Sequence, residues 1–191
     1  VLNDENIITN IDELEKICKS ADFSTEYYQE KSKEIDACYD EIIREMPKNM
    51  NEKEAVQYFL NWIKDNVEYD YSVYESSIEP YYDKLYENEV YADVSNKGCI
   101  LDKRGICGGI SIILSELCNR VGITAYPVFG TIKSDGTLIP HGWVAMRVDD
   151  STYYIDPTYV CQTGEMDNLK MKNEMERIGD RQYQLEDSFE Y

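Results

Sequence analysis

Downstream of Gly105 the hydrophobic pattern changes period once, and that change restricts the fold more than any other feature of the chain. Ile110, Ile113, Leu114, Leu117 and Val121 recur at steps of three and four, the spacing of one helix face. Gly122 follows, where a helix terminus favours glycine. Three strand-like stretches come next: 123–130, rich in β-formers; 143–148, which alternates; and 152–156, β-branched and aromatic. Asp149-Asp150 lies between the last two as a turn signal, so they read as a hairpin. A helix feeding directly into such strands predicts an α+β core, with that helix packed on an antiparallel sheet.

Further helices are expected upstream. Residues 1–10 lack periodicity and read as an arm, and a short helix is expected over Asp12 to Lys19. Ser24 looks like the N-cap of a longer helix with Tyr28, Ile35, Cys38, Tyr39, Ile42 and Met46 on its apolar side, ended by Pro47. Asn51 and Glu54 have capping-box spacing, and Val56, Phe59, Leu60, Ile63 and Val67 give residues 52–66 a clear amphipathic stripe. From Glu68 to Asp93 tyrosines alternate irregularly with acids. These rings either cover the core or form one wall of a substrate groove. Past Pro157 the pattern weakens; residues 165–178 could form a helix, and the tail to Tyr191 reads as acidic and peripheral. The expected organisation is therefore an N-terminal helical extension over 1–50, a catalytic core over 51–165 and a C-terminal tail over 166–191.

Composition narrows the partners. The 191 residues carry 38 acidic side chains against 19 basic ones, a net charge of −19 that repels nucleic-acid phosphates and anionic membranes. No uncharged run approaches the roughly 18 residues of a membrane span, and no secretory leader is legible in the opening Val-Leu-Asn-Asp-Glu. The six cysteines, Cys18, Cys38, Cys99, Cys107, Cys118 and Cys161, form no C-x-x-C pair, and with a single histidine a zinc site is not expected. No other cofactor is called for.

Three short motifs carry chemistry. In Arg104-Gly105-Ile106-Cys107-Gly108-Gly109 the cysteine stands in the first turn of the expected helix. Unpaired N–H groups there favour thiolate and can hold an oxyanion, while the glycines, Gly108 among them, let a carbonyl approach closely. If Cys107 is a reactive thiol, five cysteines are left and cannot all pair, which leaves zero to two disulfides open. His141, the only histidine, opens a strand and is the one side chain that titrates near neutrality unshifted. Asp156 ends the neighbouring strand. A two-residue turn at Asp149-Asp150 sets Trp143 opposite Asp156 and His141 one diagonal away, within reach; an odd turn would point the carboxylate to the other face. Cys107, His141 and Asp156 are thus a candidate catalytic triad. Trp143, Tyr69 and Tyr91 are candidate oxyanion or substrate-binding residues beside Gly108.

The order Cys, His, Asp with these surroundings resembles the transglutaminase-like superfamily. Gly105-Ile106-Cys107-Gly108-Gly109, the helix-to-strand passage Leu117 through Val128, His141-Gly142-Trp143 and Tyr154-Ile155-Asp156-Pro157-Thr158 each resemble a block of that family. Lys53 to Asp70, ending Asn66-Val67-Glu68-Tyr69-Asp70, resembles the lead-in of bacterial members. Val144 departs from the Asn often found there, and the zinc-binding cysteine pairs of the glycan-cleaving branch do not appear. The resemblance implies a papain-like core and a cysteine acyltransferase, peptidase or amidase working through a thioester on protein or peptide amides. It also implies export or display at the cell surface. The acidic surface favours cationic substrates. A different class of reading is a binding or scaffold domain that keeps the fold without turnover.

Overall fold

The computed structural model describes residues 26–71, 99–134, 136–164, 170–171, 177–178 and 181–185. Helix α1 spans Glu26–Glu45 and α2 Glu52–Asn66, followed by the two-residue strand β1 at Glu68–Tyr69. A single-turn helix α3 (Cys99–Asp102) and strand β2 (Arg104–Gly105) lead into α4 (Cys107–Arg120). Strands β3 (Ala125–Ser134), β4 (Thr137–Val148) and β5 (Ser151–Ile155) come next, then helix α5 (Pro157–Thr163). Strands β6 (Lys170–Met171), β7 (Arg177–Ile178) and β8 (Arg181–Leu185) complete the described chain. The first expected arm and helix, and the Ser24 cap, lie outside the described residues.

The helices form where the stripes and caps place them. At the start of α2 the Asn51 side chain accepts from the Glu54 N–H at 3.0 Å, and Glu54 accepts from the Asn51 N–H at 2.9 Å. Two orphan donors are satisfied reciprocally. Ala55, Val56, Phe59, Leu60 and Ile63 of α2 are buried against Ile110, Ile113, Leu114 and Leu117 of α4, and Val144, Met146 and Val148 of β4 close the same core. Tyr39 and Ile42 of α1 belong to it too, so the second half of α1 is part of the core's own packing. Arg120 at the end of α4 ties α1 down: its guanidinium bonds Asp36 and Asp40 (3.2 Å to Asp40) and lies over the Tyr39 ring at 4.8 Å.

Six strands form one antiparallel sheet in the order β6-β5-β4-β3-β8-β7. Two expectations are corrected here. The strands opened by 123–130 and 143–148 extend into one long hairpin, Ala125 to Val148, with Gly136 at φ 82° in its turn, so His141 lies inside β4 and does not open it. The helix expected over 165–178 is not present among its described residues: Lys170–Met171 pairs with Tyr153 and Tyr154, and Arg177–Ile178 pairs with β8. Arg181–Leu185 adds to β3, so this part of the tail is a strand of the sheet. Sheet pairing supplied from a distance overrides the weak local helical pattern.

The hairpin turn keeps the expected parity. Val148 pairs with Ser151 across Asp149-Asp150, whose φ values of 48° and 61° are those of a type I′ turn. The tip is held against the start of α2, where Glu52 accepts from the Asp149 N–H at 2.7 Å and Lys53 lies 3.1 Å from the Asp149 carboxylate.

Gly105 shows what a glycine can be for. A Cβ built on it would stand 2.3 Å from the Cys99 Sγ, so the buried Cys99 packs directly on the backbone two residues before Cys107. We expect Gly105→Ala to lower unfolding free energy by about 1–3 kcal/mol, the usual cost of overpacking. In a denaturation double-mutant cycle with Cys99→Ala, the two losses should be less than additive; full additivity would refute the contact.

Candidate active site

The thiol is placed by α4. Cys107 is its first residue, and the N-cap, Ile106, contributes no side-chain bond. The first-turn N–H groups of Cys107, Gly108 and Gly109 therefore meet no capping side chain, and a helix leaves such donors without intrahelical partners. Ahead of it β1 and β2 pair in parallel, Tyr69 opposite Gly105, and Asp70 N–H donates to the Gly105 carbonyl at 2.9 Å. This pins the approach to the cysteine to the segment after α2.

The histidine and aspartate come from adjacent strands, as the turn parity requires. His141 Nε2 lies 2.8 Å from Asp156 Oδ2, with the histidine 7% exposed and the aspartate fully buried. With Nε2 committed to Asp156, Nδ1 is the ring nitrogen left for the hydrogen bond between His141 and Cys107, and the Gly142 N–H also bonds the sulfur. Asp156 does a second thing that the strand-end reading missed. It is the N-cap of α5: Oδ1 accepts from the N–H groups of Thr158 at 3.0 Å and Tyr159 at 3.1 Å, with Pro157 at the first helical position. The signal was in the sequence, since Asp before Pro is a helix start.

Electrostatics separates one of the five described cysteines from the other four. Burial by itself pushes the Cys107 thiol up, but the hydrogen bond and charge of His141, with the Gly142 N–H, outweigh it and hold the thiol below its ordinary 9.0. Burial likewise acts to lower His141, but the charge and hydrogen bond of Asp156, then Cys107, lift it from 6.5 to about 9. Both shifts favour a thiolate facing an imidazolium. Burial instead raises Cys99 to about 11 and Cys118 and Cys161 to about 12, and Cys38 is raised as well. All five described cysteines are free thiols.

The other candidate residues fall into place unequally. Trp143 is fully buried with Tyr154 and Tyr159, and its ring stacks near His141, centroids 6.3 Å apart at 22°. Tyr69 is half-buried, edge-on to Tyr71 at 4.8 Å, on the strand that pairs with the cysteine's lead-in. Gly108 occupies the second position of α4. Tyr91 lies outside the described residues, as does most of the tyrosine-rich segment. Among the described residues no group of three or more His, Cys, Asp or Glu side chains could hold a metal, and no helix is long and apolar enough to cross a membrane.

A helix headed by a cysteine, laid on an antiparallel sheet that presents histidine and aspartate from neighbouring strands, defines the papain-like class of fold. Within it the chain belongs to the transglutaminase-like domain family, whose pattern matches residues 37–177. Two solved structures are similar. One is a TGase, at 18% identity and TM-score 0.49, over 77% of this chain and 37% of that one. The other is a candidate cysteine protease from Cytophaga hutchinsonii, at 19% identity and TM-score 0.42, over 74% of this chain and 41% of that one. The chain thus spans about two fifths of the length of these structures. No curated protein matches.

The shifted pair fixes a pH dependence. The raised histidine contributes stability in full below about 6.5 and loses it as pH rises through about 9; the lowered thiol contributes above 9.0 and loses it as pH falls through its folded value. We expect iodoacetamide to alkylate Cys107 ahead of the other described cysteines, with an acidic limb below 9.0. In His141→Ala the burial effect, the Gly142 bond and the raising charge of Asp156 persist, so the limb should move upward and the rate at pH 7 fall about tenfold per unit moved. Mass spectrometry of timed reactions reads both; equal rates in the two proteins would sink the ion-pair description.

Proposed function

We propose that the protein is a Cys-His-Asp acyl-transfer enzyme acting on peptide or side-chain amides. The observation that carries this reading is the polarised pair: one thiol lowered and one imidazole raised, in hydrogen-bond contact, with a buried aspartate behind the imidazole. Burial alone would leave an inert thiol, as it does at Cys118. A domain that only binds gains nothing from maintaining such a pair, so the scaffold reading is the weaker one.

The geometry supports the following reaction. Cys107 thiolate attacks the amide carbonyl carbon, and the oxygen takes the negative charge opposite the first-turn N–H groups of α4. His141 imidazolium gives its Nδ1 proton to the amide nitrogen as the C–N bond breaks, which releases an amine and leaves an S-acyl thioester. The now neutral imidazole takes a proton from the second nucleophile as that attacks the thioester. The C–S bond breaks, and thiolate and imidazolium are restored. With water the product is a carboxylic acid; with a second amine it is a new amide. Asp156 holds Nε2 throughout, fixing the tautomer that points Nδ1 at sulfur.

The substrate is a protein or peptide, and the −19 charge of the chain favours cationic ones. Export to the cell surface accompanies this proposal on the strength of the family resemblance. The division between transfer and hydrolysis is read by one incubation with a glutamine-rich protein and a fluorescent primary amine. Label incorporation that is lost in Cys107→Ala and falls by about three orders of magnitude or more in His141→Ala identifies a transamidase. Cleavage or ammonia release without label identifies a hydrolase. Neither product, from unmodified protein of a preparation whose Cys107 proves selectively reactive toward iodoacetamide in a separate aliquot, would refute the enzyme.

A further inference from the structure

Asp156 is buried without exposed surface and shares its two oxygens between two tasks. Oδ2 faces His141, while Oδ1 is taken by the Thr158 and Tyr159 N–H groups. A buried carboxylate with a free rotor could turn either oxygen, or neither, toward the imidazole. What prevents this is the first turn of α5, and α5 is only seven residues long. Isolated helices of that length do not persist, so its stability comes from tertiary packing.

The packing is visible. Tyr159 is 6% exposed, and its ring lies in a cluster with Trp143 and Tyr154, next to half-buried Val128 and Ala145. Trp143, Tyr154 and Asp156 share one face by register, since Val144 pairs with Ile155 and Ala145 with Tyr154. Tyr159 is therefore the residue of α5 that touches both halves of the arrangement. Its N–H bonds the Asp156 carboxylate, and its ring seats the helix on the Trp143 that stacks beside His141. The far end of α5 is closed locally, by Thr163 Oγ1 donating to the Tyr159 carbonyl at 2.7 Å and by Gly164 at φ 73°.

The geometry points to Tyr159 as a positioning residue that acts through Asp156: its ring anchors the turn whose N–H groups lock Oδ1, so that Oδ2 is kept on His141. This inference deepens the proposed function and rests on the same triad. The ionisable groups coupled to Asp156 are His141 on β4, Cys107 at the head of α4 and Cys161 on α5. The carboxylate's charge raises the proton affinity of all three, and at His141 a hydrogen bond adds to it. If Asp156 swings, His141 loses its main support while burial continues to push its proton off.

Because His141 is the only histidine, its ring signals in a histidine-labelled sample are unambiguous, and NMR titration reads its midpoint without any turnover. In the wild type the midpoint is expected near 9. Tyr159→Ala keeps the N–H but removes the anchor, and should lower the midpoint by at least about one unit, a tenfold change in proton affinity. Tyr159→Phe keeps the ring and should leave the midpoint within a few tenths of wild type. Thermal melts establish that each variant is folded at the NMR temperature; if the alanine variant is not, Tyr159→Leu takes its place with the same expected direction. A folded variant that has lost the ring, melts lower and yet titrates like wild type would show a merely structural role and overturn the inference. A phenylalanine variant shifted as far as alanine would overturn it too. A wild-type midpoint near 6.5 would bring down the ion-pair reading along with it, whereas a wild-type midpoint near 9 that ignores Tyr159 defeats this inference alone.

Discussion

The bond between His141 and Asp156 is the interaction on which the site depends, and most of the fold can be understood as the means of making it. A carboxylate with no exposed surface is tolerated only where its oxygens are answered by donors. Here three donors do so, one from an imidazole and two from a helix start. The strands bring His141 and Asp156 to one face, the two-residue turn sets the parity, and α5 satisfies the remaining oxygen. Cys107 needs the resulting charge: without an imidazolium beside it, burial would make its thiol as inert as that of Cys118.

Much of this was legible in the sequence. Residues 52–66 and the helix from Cys107 were readable because their apolar steps of three and four coincide with strong start signals. The packing that stabilises them is the packing the stripe describes. The candidate triad was readable for a different reason. Cys107 and Asp156 sit at element ends, His141 lies within β4, and the length of a single turn decides whether His141 and Asp156 share a face. The register confirms that geometry, with Val148 opposite Ser151.

The misses have a common cause. Lys170–Met171, Arg177–Ile178 and Arg181–Leu185 are strands because β5 and β3 offer them edges, an influence no local window contains. The cap role of Asp156 was missed because a strand end and a helix start fall on the same residue, and the strand reading claimed it first. The glycine at 105 was read as room for substrate, whereas in the structure it makes room for Cys99. That partner is six residues away in sequence, across a turn of helix whose existence the pattern did not announce.

The type I′ turn at Asp149-Asp150 has a consequence for how this chain can vary. Exposed hairpin tips are ordinarily the places where proteins absorb insertions and deletions most freely. Here the side chains at the tip are replaceable, and Asn or Gly would reach positive φ more easily than aspartate does. The residue count is not replaceable. An unbulged gain or loss of one residue would carry the carboxylate to the opposite side of the sheet, more than a strand's width from the imidazole it serves. Among related chains, then, this loop should drift in composition while staying fixed in length, the reverse of what its exposure alone would suggest.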